Sequence, residues 1–556
     1  MPICQAQARP GPAGGLKNQA QARPMGKPIG PRPWILGSGL GGRPGRRWPG
    51  LFYGPSKSKA ESRGGATIDH GVTVAVSLRR WPCKLDQDQW ATFESCLGAW
   101  YGLNRRPRHL TPWDLRSIAV EYIQKGILLP KPPATGRQGR HDVDVERLAS
   151  SFARALGRFY PYAGRLAVAP AREDRASPES LAISLRCSGE GTEFVHAVAP
   201  GVAVADVSLL IPWVVWSFFP LNGLLGADAI AESRPVLAAQ VTELADGVFI
   251  AMSMNHSVAD GTTFWQFFNT WSELTRLGLS DGDAAAGNDA MMSTPLPVFD
   301  NWFLEGCTIP IPLPFGKLKD VVGQRLDLFP PVQECFLHFS AATLKKLKAK
   351  AKAEISGTTT TTTISSLQAV LAHLWRAVCR ARWLASEQET AYIVYVGCRG
   401  RVGGIPASYA GNALAHVAAK SSAGEILGNG LGWAAWQLNR AVALFDEASA
   451  RDKLASWPQD PSFAHLPELV ALAPTTLLMG SSPRFDVYGN DFGWGAPVAV
   501  RSGAGNKVDG KATVYEGRGR GGSMALEVCL APEALARLVA DEEFMASVGV
   551  TSTDDE

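Results

Sequence analysis

A histidine that directly follows a long apolar run is the feature that most constrains this chain. Residues 247–254 read Gly-Val-Phe-Ile-Ala-Met-Ser-Met, and Asn-His-Ser-Val-Ala-Asp-Gly follows at 255–261. A continuous apolar run of this length favours a buried strand. Residues 262–277 then carry aromatic side chains at helical spacing, which predicts an amphipathic helix whose aromatic stripe belongs to the core. The seven-residue motif therefore lies at a strand-to-helix junction.

This junction holds two titratable side chains, His256 and Asp260. A neutral imidazole accepts a proton from a hydroxyl or an amine near pH 7, because its unperturbed pKa is about 6.5. His256 is therefore a candidate general base. Asp260 opens the predicted helix, where a carboxylate caps free N–H groups and meets the positive end of the helix dipole. The HxxxD pattern alone also fits a structural histidine followed by a simple N-cap.

Length, charge and cysteine spacing exclude several classes of protein. A chain of 556 residues is too long for one core, which predicts two or more domains. The formal net charge of +4 is small and is not clustered on predicted elements, so nothing favours a nucleic-acid partner. Nine cysteines occur without CxxC or CxxH spacing, which favours neither a zinc site nor a disulfide framework. This cysteine usage suits a reducing compartment, and we expect a cytoplasmic protein.

One stretch, Val207–Ala227, resembles a membrane segment because it lacks charged residues. It contains Pro212, Pro220 and Asn222, and it has no flanking basic residues. A bilayer-spanning helix needs about 20 apolar residues without such breaks. We therefore predict a core strand and a loop here, and no membrane span.

The chain divides into an N-terminal extension and two halves. Residues 1–65 are rich in Gly and Pro and have no apolar period, so we expect a disordered extension. Strand and helix patterns alternate irregularly in the remainder, which predicts a mixed α/β fold. The predicted boundaries are an N-terminal domain at 66–290, a crossover linker at 291–335 and a C-terminal domain at 336–556.

Three motifs occur in a fixed order along these halves. They are Tyr-Pro-Tyr-Ala-Gly-Arg-Leu at 160–166, the HxxxD motif at 256–260, and Asp-Phe-Gly-Trp-Gly at 491–495. Together they resemble the plant BAHD acyltransferases, which use acyl-coenzyme A. Trp-Asp-Leu at 113–115 and Tyr-Ala-Gly-Asn at 409–412 fit the same family. The resemblance covers about residues 110–545.

The resemblance implies a fold and a reaction. The fold would consist of two similar chloramphenicol-acetyltransferase-like domains, each a mixed sheet flanked by helices, with a channel at their interface. His256 would act there as general base, removing the proton of an alcohol or amine acceptor that attacks the thioester of acyl-coenzyme A. Acyl-coenzyme A would be a co-substrate, with no bound cofactor and no metal. The protein would be a monomer that acts on a small plant metabolite.

The resemblance also assigns roles to individual residues. Asp260 would support the site by pairing with an arginine, for which Arg399 is the candidate. Asp491 would form a salt bridge, and the loop that contains Gly493, Trp494 and Gly495 would shape the coenzyme A end of the channel. The Trp494 N–H is a candidate donor to the tetrahedral oxyanion, with a structural tryptophan as the alternative.

Phosphate-binding residues are harder to assign from the sequence. Ser365 and Ser366 begin a predicted helix with a capping box to Gln368, and free N–H groups at such a position suit anions. Lys507 and Lys511 are candidates to meet the nucleotide phosphates, although lysines in a loop are commonly just solvated.

The chain departs from the family pattern at residues 1–65 and 80–108. A faulty gene model would explain both segments, and we expect them to lower stability rather than to alter the chemistry. Two other hypotheses stay open at this point. One is a catalytically silent ligand-binding or interaction protein on the same scaffold. The other makes His256 and Asp260 metal ligands, although no other His or Cys lies nearby in the sequence.

Overall fold

The computed structural model describes eleven segments of the chain. These are residues 64–67, 73–83, 106–131, 143–171, 180–208, 212–278, 292–300, 302–325, 330–356, 363–519 and 521–549. Most of the predicted extension and residues 84–105 of the atypical segment lie outside this part of the chain. Within it, the mixed α/β fold is confirmed, with strands in three sheets and helices between them.

The strands follow in chain order. They are β1 (Gly64–Thr67), β2 (Thr73–Cys83), β3 (Arg108–His109), β4 (Ile123–Pro130), β5 (Arg165–Pro170), β6 (Leu181–Arg186), β7 (Thr192–Ala199), β8 (Leu237–Leu244), β9 (Gly247–Met254), β10 (Gln333–Phe339), β11 (Glu389–Gly397), β12 (Leu414–Ser422), β13 (Thr476–Gly480), β14 (Ala499–Ser502), β15 (Lys511–Glu516) and β16 (Met524–Leu530).

The helices are interspersed among these strands. They are α1 (Pro112–Arg116), α2 (Val145–Arg158), α3 (Val204–Ser208), α4 (Pro212–Trp216), α5 (Asp228–Ala231), α6 (Gly261–Leu277), α7 (Leu318–Val322), α8 (Ala341–Ile355), α9 (Ser366–Ala381), α10 (Ala423–Gly428), α11 (Gly430–Ala443), α12 (Glu447–Ser456), α13 (Leu466–Leu472), α14 (Pro532–Val539) and α15 (Glu542–Met545).

The first sheet has the strand order β1-β2-β7-β8-β9-β4-β14. The pair β7–β8 is parallel and the other pairs are antiparallel, so the sheet is mixed. β9 is buried along its whole length because it lies between β8 and β4, and because its apolar side chains face packed layers on both sides. The edge strand β14 comes from the second half of the chain and pairs Val500 with Ile127 of β4.

The second sheet has the strand order β10-β16-β15-β13-β11-β12. β13 is parallel to both β11 and β15, and the outer pairs are antiparallel. Helices α8, α9 and α11 pack against one another beside this sheet. The capping box that was predicted at Ser365 and Gln368 is present at the start of α9. A small third sheet, β3-β6-β5, completes the described strands.

The aromatic stripe of α6 lies in the core, as predicted. Phe264, Phe267, Phe268 and Trp271 are buried, and α6 packs against α2. The Trp271 ring lies 4.9 Å from that of Phe152 on α2, and its Nε1 donates to the Leu148 carbonyl at 3.0 Å. The helix after the histidine is therefore fixed by buried aromatic contacts.

The prediction of a core strand within Val207–Ala227 is wrong for the described residues. α3 and α4 occupy the first part of this stretch, and turns follow. The Asn222 side-chain amide donates to the carbonyls of Trp216 (2.7 Å) and Phe219 (3.0 Å). These bonds satisfy the end of a short helix locally, so the segment needs no strand partner. None of the described helices combines the length and apolar character needed to cross a bilayer.

Two boundaries also differ from the sequence expectation. β2 continues to Cys83, so the regular strand extends into the segment that begins at residue 80. β10 begins at Gln333, within the predicted linker at 291–335.

Arg501 on β14 helps to hold this strand of the second half of the chain in the first sheet, and its substitution tests that role. Its buried guanidinium donates to the carbonyls of Val207 (3.2 Å), Ser208 (2.6 Å) and Val500 (2.8 Å), and it lies over the Phe336 ring. A lysine cannot make this set of bonds, so R501K should lower the free energy of unfolding by about 2 kcal/mol or more. Denaturant titration measures the loss. The exposed control R186K should change stability little, and equal stability of R501K and wild type would contradict this role.

Candidate functional site

His256 lies two residues beyond the end of β9 and is singled out by its exposure. From Gly247 to Asp260 every residue is buried except His256, which is partly exposed. The strand and the junction are therefore closed to solvent, while the imidazole keeps accessible surface. This is the arrangement that a general base needs, because the base must touch the group that loses its proton.

The imidazole is held in its neutral form. Burial lowers the pKa of His256 below its ordinary value of 6.5, and the positive charge of Lys511 acts in the same direction. The His256 main chain, the Asp260 carboxylate and the Asn412 amide oppose this shift, but they do not reverse it. His256 Nδ1 has no hydrogen-bond partner among the described residues. A neutral imidazole near pH 7 is able to accept a proton.

Asp260 does not contact the imidazole, because its carboxylate is engaged elsewhere. One oxygen accepts from Thr263 N at 3.0 Å, which caps α6, and from Arg399 Nη2 at 3.1 Å. The other accepts from Arg399 Nη1 at 2.6 Å and from Ala413 N at 3.1 Å. These four bonds fill the acceptor sites of a carboxylate. The predicted pair with Arg399 is thus present, and it is bidentate.

Asn412 holds the main chain of His256 from the other side. Its side-chain amide donates to the His256 carbonyl at 2.8 Å and to Asp114 Oδ1 at 2.9 Å. The Asn412 N–H also donates to Asp114 at 3.0 Å. The second Asp114 oxygen closes a capping box with Thr111 at the start of α1. The motifs at 113–115 and 409–412 therefore meet beside the histidine.

Sequence reasoning did not assign this role to Asp114 and Asn412. The available signal was local: Thr111 and Asp114 have capping-box spacing, which fixes an acidic side chain at the helix start. Nothing in the sequence indicated that the same carboxylate would bind a loop 298 positions away.

The segment that leads into and includes the 491–495 motif packs along α6. At the start of the helix, a Cβ added to Gly261 would lie 2.9 Å from the Phe485 ring, so a larger residue would displace that ring. Further along, the Phe492 ring lies 5.1 Å from that of Trp271 and is fully buried. Gly493 has a φ of 105° and Gly495 a φ of 126°, values that glycine alone adopts readily. The motif therefore belongs to the same core as the helix after His256.

The prediction that Asp491 forms a salt bridge is wrong for the described residues. Its Oδ1 accepts from the N–H groups of Gly493 (2.7 Å) and Gly495 (2.9 Å), so the carboxylate closes its own loop. A short acidic side chain that can bond its own backbone does not need an arginine. Trp494 Nε1 is buried and lacks a hydrogen-bond partner in the described part of the chain. This leaves its proposed role as an oxyanion donor untested.

Comparisons with known proteins agree with this geometry. A family model described as the Transferase family matches residues 105–545. An uncharacterized acetyltransferase of Arabidopsis thaliana is 34% identical over 450 residues, which cover 80% of this chain and 95% of that protein. The BAHD acyltransferase DCR of Arabidopsis thaliana is 28% identical over 461 residues, which cover 80% of this chain and 90% of that protein.

A solved structure shares the fold. TRI101 of F. sporotrichioides, complexed with coenzyme A and T-2, matches with a TM-score of 0.59 and 17% identity over 80% of this chain and 99% of its own. The chain belongs to the BAHD acyltransferase family. This confirms the resemblance drawn from the three motifs. Membership in a family of acyltransferases also supports an acyltransferase activity for this chain.

The assignment of Lys507 to coenzyme A phosphates does not fit its surroundings. Its side chain is 6% exposed, and its ammonium is paired with Glu334 and Glu527. Lys507, together with Lys125, lowers the pKa of Glu527 to about 2 although burial alone would raise it. Lys507 is therefore committed to a buried ion cluster, and neither a phosphate ligand nor a solvated loop lysine describes it. Sequence reasoning did not find this cluster, because Glu334 lies 173 positions from Lys507.

Ser365 and Ser366 remain predictions as coenzyme A contacts in this BAHD family member. The Ser365 hydroxyl accepts from Gln368 N at 3.1 Å, so it serves the capping box.

Among the described residues, the one group of three possible metal-binding side chains is Glu334, Glu527 and Cys529, which does not include His256. The Lys507 ammonium already contacts both of these carboxylates.

The Asp260–Arg399 pair makes a prediction about stability. D260A would leave a buried guanidinium without its counter-charge and α6 without its cap, which should cost about 3–5 kcal/mol in unfolding free energy. R399M on the D260A background should recover part of the loss, because no charge is then left unpaired. Thermal and denaturant unfolding of the single and double variants measure both effects. A D260A protein of wild-type stability that has lost activity would instead favour a direct catalytic role for Asp260.

Proposed function

We propose that this protein transfers an acyl group from acyl-coenzyme A to the hydroxyl or amine of a small metabolite, with His256 as the general base. The observation that carries this proposal is the contrast at the junction. A neutral imidazole has accessible surface, while every neighbour from Gly247 to Asp260 is buried. The backbone on both sides of the imidazole is fixed by Asn412 and Asp260.

The relatives support the class of reaction. One is named an acetyltransferase and another an acyltransferase, and the matched crystal structure contains coenzyme A. In the proposed step, His256 removes the proton from the acceptor as its oxygen or nitrogen attacks the thioester carbonyl. A tetrahedral intermediate forms and then expels the coenzyme A thiolate, which receives the proton from His256. Bonds and protons balance without a covalent enzyme intermediate.

The six cysteines whose side chains the structure describes support a direct transfer, because burial raises the pKa of each. Burial raises the pKa of Cys379 and of Cys398 to about 11, which keeps both thiols protonated near pH 7. Only a thiolate is a strong nucleophile toward a thioester. A ternary complex of enzyme, donor and acceptor therefore fits these surroundings better than an acyl-enzyme does.

The organisation around this reaction is part of the proposal. It includes two domains, one at 66–290 and one that begins with β10 at Gln333 instead of residue 336 and extends to 556. It also includes a channel between them and a coenzyme A end shaped by residues 491–495. It also includes a cytoplasmic monomer. Plant relatives support a role on plant metabolites.

Removal of the base should slow transfer strongly without unfolding the protein. General-base catalysis contributes about 10²–10⁴-fold, so H256A should lower kcat by this factor. Free-thiol release from a panel of acyl-coenzyme A donors and hydroxyl or amine acceptors measures the rate. The control H465A removes a histidine paired with Glu468 and should retain activity. Wild-type turnover by H256A would reject the base, and no turnover of any pair by the wild type would favour a silent binding protein.

The acid limb of the pH–rate profile should report the same imidazole. The reaction needs neutral His256, so kcat/KM rises with pH through the pKa of the free enzyme's base. Because burial lowers the pKa of His256, half-maximal kcat/KM should fall below pH 6.5. Initial rates between pH 4.5 and 8 at about constant ionic strength measure this midpoint. A midpoint above 6.5 would mean that another group limits the rate.

A further inference from the structure

Three partly exposed residues that are joined to one another by hydrogen bonds neither take up nor deliver the proton in the transfer described above. They are Glu121, Asn506 and Lys511. Ile123 of β4 pairs with Met254 of β9, and Glu121 and His256 each lie two residues beyond this pair. The two side chains therefore belong to the same end of the first sheet.

Asn506 is held against Glu121 in a conformation that few residues other than glycine adopt. Its φ is 57°, and three hydrogen bonds join it to Glu121. Two of these bonds use the Asn506 side chain and one uses its N–H, which donates to Glu121 Oε2 at 2.6 Å. Asparagine tolerates this left-handed region better than most residues, and such backbone is frequent at functional sites. The surroundings therefore fix the position of the Asn506 carbonyl.

That carbonyl holds Lys511. The Lys511 ammonium donates to Asn506 O at 2.9 Å, and this is its one hydrogen bond within the described part of the chain. An ammonium has three donors, so two remain available. Burial lowers the pKa of Lys511, so an anion that paired with it would offset the loss of hydration. Its charge also reaches the His256 imidazole.

The neighbouring lysines are already engaged. Lys507 is paired with Glu334 and Glu527, as described above. Lys125 donates to the hydroxyls of Ser502 (2.6 Å) and Tyr515 (2.9 Å). Lys511 therefore keeps two unused donors, whereas Lys125 and Lys507 each keep one.

We propose that Lys511, positioned by Asn506 and Glu121, binds a carboxylate of the substrate beside His256. This inference rests on the proposed acyl transfer. The carboxylate has two sources: an acidic acceptor, or the acyl chain of a dicarboxylic donor. In either case the ammonium would form a charge-assisted hydrogen bond in a partly buried site, which is stronger than a bond between neutral groups.

Paired substrates test the subsite. Malonyl-coenzyme A is compared with acetyl-coenzyme A, and 4-hydroxybenzoate with its methyl ester, as the ratio of kcat/KM for the charged member to that for the uncharged member. K511M should lower this ratio by about 10-fold to 100-fold, the value of one hydrogen bond to a charged group. The control K420M alters an exposed lysine that is paired with Glu389 and should leave the ratio unchanged.

The pair whose ratio falls identifies the source of the carboxylate. E121Q should raise the same ratio, because it removes a negative charge near Lys511 while an amide oxygen still accepts from Asn506. If Glu121, Asn506 and Lys511 only hold the local structure, both variants should lose activity equally on charged and uncharged members, and this outcome would overturn the proposal.

Binding to H256A separates this proposal from the reaction itself. Calorimetric titration of that variant with the four probes needs no turnover, so it tests the subsite even if the acyl transfer is rejected. We expect the carboxylate member of one pair to bind more tightly, and K511M on the H256A background to remove the difference. Equal affinity for both members of each pair would overturn the subsite, whatever the fate of the proposed function.

Discussion

A buried ion pair between Asp260 and Arg399 is the constraint on which the site depends. The Asp260 side chain is 0% exposed and that of Arg399 is 8% exposed. The pair joins the start of α6 to the segment that follows strand β11 of the second sheet. A buried pair of this kind is not a source of stability by itself, because desolvation offsets much of the attraction. Its value here lies in geometry. Ala413 and Thr263 bind the same carboxylate, so helix, loop and strand end have one common anchor.

The ion pair gives the two residues of the HxxxD motif separate roles, a structural one for Asp260 and a chemical one for His256. The Asp260 carboxylate accepts four hydrogen bonds from Thr263, Arg399 and Ala413, which hold the backbone around the site. Asn412 fixes the His256 carbonyl. The imidazole is left with accessible surface and with no carboxylate that would raise its basicity through a direct bond. Burial and the charge of Lys511 then keep it neutral. The backbone around the site is thus held by hydrogen bonds, whereas the His256 imidazole, which must react, stays accessible.

The sequence was informative where the chemistry is local. The strand-to-helix junction, the aromatic stripe of α6 and the capping box at Ser365 follow from periodicity and from neighbouring residues. Arg399 was inferable as a partner of Asp260 only through the family resemblance. The bonding partners of Asp491 could not be inferred, because a carboxylate that binds its own loop and one that binds an arginine look the same in sequence. The roles of Lys507 and Asn412 depend on tertiary contacts with residues more than 150 positions away, which the sequence does not reveal. Val207–Ala227 has no periodicity that would distinguish a strand from short helices.

The central claim is that an uncharged His256 meets the donor at the point where the acyl group leaves it. A crystal structure of the wild-type protein with coenzyme A tests this most directly. We expect the coenzyme A sulfur within hydrogen-bond reach of a His256 ring nitrogen, directly or through one water. Coenzyme A bound in an active enzyme with its sulfur remote from His256, and with another side chain beside it, would contradict the claim.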